Sequence, residues 1–172
     1  VFLANPSYSR TEILRAIADE LGPPAAGSPA ASAPRNLPAQ LIELYASGRR
    51  VVVMIDEAQA MPEDTLEQVR LLSNLESSRH KLLQIVLFGQ PELDAALDKP
   101  SMRQLKDRIT HNFRTRPLNA HETGSYIAFR MRAAGYKGRD VFTPAAISAI
   151  ARAASGLTRR INVLCDKSLL AA

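Results

Sequence analysis

Asp56 and Glu57 stand side by side directly after five consecutive apolar residues, Val51-Val52-Val53-Met54-Ile55. Four of those five are β-branched, which predicts a strand buried on both faces, as in a parallel sheet. Ligands of open α/β sheets bind at the carboxyl ends of the strands, where an acidic pair suits nucleotide hydrolysis. The first carboxylate can hold Mg²⁺, directly or through its waters, and the second can orient and polarise an attacking water. The plain alternative is that Asp56 caps a turn and Glu57 is solvated. A short apolar run followed by Asp-Glu does not decide between them.

Three further positions carry related chemistry. Gln90 follows a second apolar run, Leu82 to Phe88 with Gln84 inside it, and the turn residue Gly89. If the two strands are neighbours, its neutral amide lies beside the acidic pair, where it can bond a water or a γ-phosphate. Arg108, in Gln104-Leu105-Lys106-Asp107-Arg108-Ile109, offers a planar guanidinium, always cationic, for phosphoryl-transfer charge. Arg159 lies in Gly156-Leu157-Thr158-Arg159-Arg160-Ile161-Asn162 at the start of a helical pattern, where a helix N-terminus already favours anions. Read alone, Gln90 is a turn residue and both arginines are solvated surface charges.

The elements that must position these groups are legible from periodicity and punctuation. Residues 1–4 read as a short buried strand ended by Asn5-Pro6. Ser9 caps a helix to about residue 21, with Ile13, Leu14, Ile17 and Leu21 at helical spacing. Residues 22–34 contain only Gly, Pro, Ala and Ser and predict a mobile surface spacer. A helix over 36–47 turns Leu37, Leu41, Ile42, Leu44 and Tyr45 inward, before the strand at 51–55. Pro62, Glu63 and Asp64 suit the start of a helix reaching about residue 75. The strand at 82–88 is followed by helices at about 92–97 and 101–108 and a short strand near 112–115. Helices at about 121–134, 144–154 and 158–172 then follow with no strand between them. Alternating strands and helices argue for an α/β architecture with a mainly parallel sheet over residues 1–117, and a small all-α part over 118–172.

Composition narrows the class without choosing a partner. The 172 residues are 46% hydrophobic and 23% charged, enough to bury a core, with formal net charge +5. That charge is compatible with nucleotide, nucleic acid or anionic membrane surfaces. A lone Cys165 rules out an intramolecular disulfide, and the scattered His80, His111 and His121 give no metal-ligand spacing. Cys165 is expected in the core with Ile161 and Leu169, Tyr126 and Phe129 in packing, and Arg49 and Arg50 in solvent. No run approaches the length of a membrane span. The chain opens on Val1 and its last helical pattern runs into Ala172, so we expect a piece of a longer protein.

Taken in order, residues 53–57, "LFGQPEL" at 87–93, "QLKDRI" at 104–109 and "GLTRRIN" at 156–162 resemble the AAA+ ATPases of the ExeA/GspA/MshM family, as do "RLLSNLES" at 70–77 and "ETGSYIAFRMRAAG" at 122–135. That family serves general (type II) secretion and MSHA-type pilus biogenesis. The resemblance implies a P-loop NTPase core with a helical lid, ATP and Mg²⁺ as cofactors, and a homo-oligomer acting on secretion or pilus-assembly membrane proteins. It implies a cytoplasmic domain, in some relatives of an inner-membrane-associated protein. By the same resemblance Asp56 and Glu57 are the Walker B pair, with Asp56 on the metal through water. Gln90 falls at sensor 1, Arg108 at the arginine finger that reaches a neighbouring subunit's ATP, and Arg159 at sensor 2.

Two departures stand out. Thr158 replaces the proline that many relatives carry before the sensor arginine. No G-x-x-x-x-G-K-[ST] occurs among the eight glycines, so the phosphate-binding loop of the family is not in these residues. The chain alone is therefore expected to be inactive. In the family's strand order, 5-1-4-3-2, the loop's strand is central. We expect its lack to be met by movement of the last strand or by exchange of segments between chains. Two neighbouring readings share many features. One is a DNA-binding regulator of the MuB/TniB transposition type, favoured by Arg103, Lys106, Arg108, Arg114 and Arg116. The other is an ATPase associated with exosortase and exopolysaccharide systems. A non-catalytic docking module is the third.

Overall fold

The computed structural model describes residues 1–4, 7–22, 36–76 and 80–171. The turn expected at residues 5–6 and, apart from Gly22, the spacer expected at 22–34 lie outside the described residues. The chain divides into two compact units, residues 1–111 and 112–172.

The first unit is α/β. Strand β1 (Phe2–Leu3) leads into α1 (Arg10–Glu20) and α2 (Leu37–Ala46), then β2 (Val51–Ile55), a 3₁₀ turn (Ala58–Ala60) and α3 (Glu63–Leu72). Strand β3 (Leu83–Leu87) follows, then α4 (Pro91–Leu97), a second 3₁₀ turn (Pro100–Met102) and the short α5 (Arg103–Lys106). The three strands form one parallel sheet in the order β1-β2-β3, with Met54 opposite Phe2 on one side and Val86 on the other. Parallel pairing is what helical crossovers between consecutive strands impose.

Local chemistry explains the boundaries. Ser9 closes a capping box with Glu12, each side chain bonding the other's backbone N–H, so two orphan donors of α1 are satisfied. Glu63 and Asp64 occupy the first turn of α3, where the helix dipole favours acidic groups. Burial is one-sided. Leu3, Val51, Val53, Ile55 and Leu83 join Ile13, Ile17, Leu41, Leu66 and Val69 in the core. The opposite row, Phe2, Met54 and Val86, is 51%, 37% and 39% exposed. This corrects the expectation that the strands are buried on both faces: alternate residues point oppositely, and helices pack the inner row only. Ile42, expected inward, is likewise exposed. Arg50 is exposed as expected, with its guanidinium over the Tyr45 ring at 4.5 Å.

Residues 112–115 form no strand, against expectation, so the sheet is not closed by movement of a last strand. A strand exists only by pairing, and no fourth strand lies beside β3 among the described residues. Among the described residues, one side of β3 is therefore an unpaired edge.

The second unit is a three-helix cluster: α6 (Ala120–Ala133), α7 (Pro144–Ala154) and α8 (Thr158–Leu170). Ile127, Phe142, Ile150, Ala154 and Ile161 form its core, with Tyr126 and Cys165 packed against it. Burial pushes the Cys165 thiol up from its ordinary value. Phe129, expected in packing, is 66% exposed, and Leu169 is also exposed. The turn into α8 depends on Gly156. Its φ is +71°, and a Cβ there would meet the Leu118 carbonyl oxygen at 2.1 Å. The Leu118 N–H donates back to the Gly156 carbonyl at 2.9 Å, tying the lead-in of α6 to the start of α8. Among the described residues no helix is long and apolar enough to cross a membrane.

Candidate functional site

The C-terminal ends of β2 and β3 build the site. Their ladder runs on beyond the strands: the Phe88 N–H donates to the Ile55 carbonyl at 2.8 Å, and the Ala58 N–H to the Phe88 carbonyl at 2.9 Å. On the other side the Asp56 N–H donates to the Leu3 carbonyl at 2.9 Å. Asp56 and Glu57 are thereby held at the rim of the sheet. Glu57 takes a left-handed conformation, φ 52° and ψ 37°, and caps the 3₁₀ turn that follows. A non-glycine residue held there costs about 1–2 kcal/mol, and such strain persists only where neighbouring structure enforces it. Here the enforcing contacts are the Ala58 bond to β3 and the burial of Ala58 and Met61.

The side chains then meet. The Asp56 Oδ1 accepts the Glu57 N–H at 2.9 Å, and Oδ2 has no hydrogen-bond partner among the described residues. Glu57 Oε2 accepts two amide donors, Gln59 Nε2 at 2.5 Å and Gln90 Nε2 at 3.2 Å. Gln59 Oε1 in turn accepts the Gln90 backbone N–H at 3.1 Å. Glu57 is solvent-exposed, and its Oε1 has no partner among the described residues. One carboxylate oxygen is thus anchored while the other faces solvent, a disposition suited to accepting a hydrogen bond from a water.

The structure therefore brings Asp56, Glu57 and Gln90 together, and adds Gln59. Sequence reasoning missed Gln59 because it reads as an ordinary polar residue of the next turn. The only signal near it was Gly89, where a Cβ would lie 2.7 Å from Leu93 Cδ2 and 3.2 Å from Gln59 Oε1. Arg108 does not join the cluster. It is exposed in the turn after α5, and among the described residues it takes no part in the hydrogen bonds that join Asp56, Glu57, Gln59 and Gln90. Arg159 sits in the first turn of α8, beside a surface hollow lined by Ala153, Arg160, Val163 and Leu164. Among the described residues no group of three or more His, Cys, Asp or Glu is placed to hold a metal on protein ligands alone. Asp56 and Glu57 instead fit a metal that takes most of its oxygen ligands from phosphates and water.

A family model described as an AAA domain matches residues 1–97, more than half of the chain. General secretion pathway protein A of Aeromonas hydrophila is 40% identical over 172 residues, covering 99% of this chain and 31% of that protein. The chain thus spans about a third of the length of the curated relative it matches. The match covers all three strands and the C-terminal strand ends from which the acidic pair and Gln90 project, and the chain belongs to the AAA domain family.

Proposed function

We propose that this chain forms the metal and water side of an ATP-hydrolysing site, in a longer protein that drives a secretion or pilus-assembly apparatus. The observation that carries the reading is the Glu57 carboxylate, anchored through Oε2 and open at Oε1 beside Asp56 on the sheet rim. Bound Mg²⁺–ATP would supply the phosphoryl group and the charge that activates it. Asp56 would hold the metal through its Oδ2 or a bound water. Glu57 Oε1 would orient the attacking water and take up its proton. Gln90 would keep Glu57 turned toward that water and offer its amide to the γ-phosphate. The phosphate cradle is assigned to residues of the longer protein, since no G-x-x-x-x-G-K-[ST] occurs in these 172.

Arg108, apart from its own chain's cluster, is proposed to act on the site of a second subunit in a homo-oligomer, and Arg159 to contact the γ-phosphate from the helical unit. The name of the relative, a general secretion pathway protein, favours a secretion apparatus as the setting. Membrane proteins of that apparatus as partners and a cytoplasmic position for this domain are proposed with it. The nucleic-acid reading is weakened by pairing within the chain. Arg116 forms two hydrogen bonds with Glu122, Lys106 is paired with Asp98, and Arg103 lies 4.0 Å from Asp107.

In the full-length protein, Glu57→Gln is expected to bind ATP as the parent does while turnover falls at least about 100-fold. Turnover equal to the parent's would remove Glu57 from this role.

A further inference from the structure

We propose that Gln59 is a positioning residue whose amide fastens the Glu57 carboxylate to the end of β3, fixing Glu57 and Gln90 relative to each other. The inference rests on the hydrolytic reading above for its consequence, but the fastening itself stands on geometry. Three hydrogen bonds close a ring of three residues: Gln59 Nε2 to Glu57 Oε2, Gln90 N–H to Gln59 Oε1, and Gln90 Nε2 to Glu57 Oε2. The ring needs a side chain at position 59 that donates and accepts at once, which among side chains of this length only an amide does without titrating. Both donors converge on Oε2, so the rotation of the carboxylate is restrained and Oε1 is the oxygen left to face a water.

Gln59 is half-buried and is itself held still. It stands in the middle of the 3₁₀ turn between the buried Ala58 and Met61, and Ala58 is bonded to β3. Gly89 supplies the room, because even a methyl group there would crowd Gln59 Oε1 at 3.2 Å. A glutamine merely solvated on a turn would show none of these constraints. The link also couples two strands: Glu57 belongs to the end of β2 and Gln90 to the end of β3, and Gln59 touches both.

The test separates the two ends of the amide. Gln59→Ala removes donor and acceptor. Gln59→Glu is nearly the same size, keeps an acceptor for the Gln90 N–H, loses the donor to Glu57 and places a like charge beside it. In the full-length protein, kcat for ATP should fall about 10-fold or more in both variants with KM within about twofold, as expected when a reacting group is misplaced rather than substrate binding lost. Residue-resolved hydrogen exchange without nucleotide supplies the second readout. The Gln90 amide should exchange at least about 5-fold faster in Gln59→Ala and at the parental rate in Gln59→Glu. Parental kcat in Gln59→Ala, or an unchanged Gln90 exchange rate there, overturns the proposal. Glu57→Gln is the control. If it keeps parental turnover the hydrolytic reading fails by itself, and the exchange data still decide whether Gln59 fastens the rim.

Discussion

At the scale of single residues, the rim of the sheet is held by short polar side chains acting over backbone that is not relaxed. Glu57 is held left-handed, and its carboxylate is shared by two glutamines. Gly89 is the residue whose smallness makes this possible. Gly89→Ala is expected to keep the fold with a small shift at the start of α4, since Leu93 Cδ2 can turn away but Leu93 Cβ, at 3.0 Å, can yield only with its backbone. It should displace Gln59 and lower kcat several-fold, by about the effect of a reacting group moved a fraction of an ångström. Turnover with a melting temperature as an internal check measures this; parental kcat would show that Gln59 tolerates displacement. Asp56, Glu57 and Gln90 were legible because residue type and strand-end position mark them locally. Gln59 was not, because its meaning depends on which residue of β3 lies opposite, and register is set by the sheet rather than by the neighbouring sequence.

At the scale of elements, the helix starts are where sequence chemistry speaks most plainly. Asn119 and Glu122 form a capping box on α6, with the Asn119 N–H bonded to Glu122 and the Glu122 N–H to Asn119. Arg116 adds two hydrogen bonds to the same carboxylate at 2.7 and 2.8 Å. The Arg116 hydrogen bonds, then the Asn119 N–H, hold the Glu122 carboxyl down to about 2, from an ordinary value near 4.5. A carboxyl depressed in the folded state contributes stability that is complete above its unfolded value and is lost as pH falls through its folded value. The contribution of Glu122 should therefore fade between about pH 4.5 and pH 2. Urea midpoints of parent and Glu122→Gln should converge over that window, and curves that stay parallel would exclude this origin. The strand at 51–55 and the helix at 144–154 match their expected limits, because the apolar run and the Thr143-Pro144 start punctuate them. The strand expected near 112–115 fails for the opposite reason. Its residues suit a strand, but strand formation needs a neighbour, which local sequence does not supply. The 3₁₀ turn at Ala58–Ala60 escapes notice because three residues carry no periodicity, and the one at Pro100–Met102 overlaps the start of the helix expected at about 101–108.

At the scale of the whole molecule, the chain has two units with separate cores, and the sheet of the first brings Asp56, Glu57 and Gln90 together. Its α/β class was legible from alternation alone, whereas the exposed row of Phe2, Met54 and Val86 was not, because an apolar run does not say which of its faces will be covered. The unpaired side of β3 and that exposed row lie in the same sheet as the acidic rim. Glu57 and Gln90 are 33 positions apart in sequence and meet only because β2 and β3 pair in register. If that meeting is what carries hydrolysis, the two residues must act as a unit. The measurement is a double-mutant cycle on ATP turnover by the full-length protein, with Glu57→Gln, Gln90→Ala and the pair together. Groups that share one function lose it once, so the double variant should be within about threefold of Glu57→Gln alone. Losses that multiply, or parental turnover in either single variant, would contradict the account.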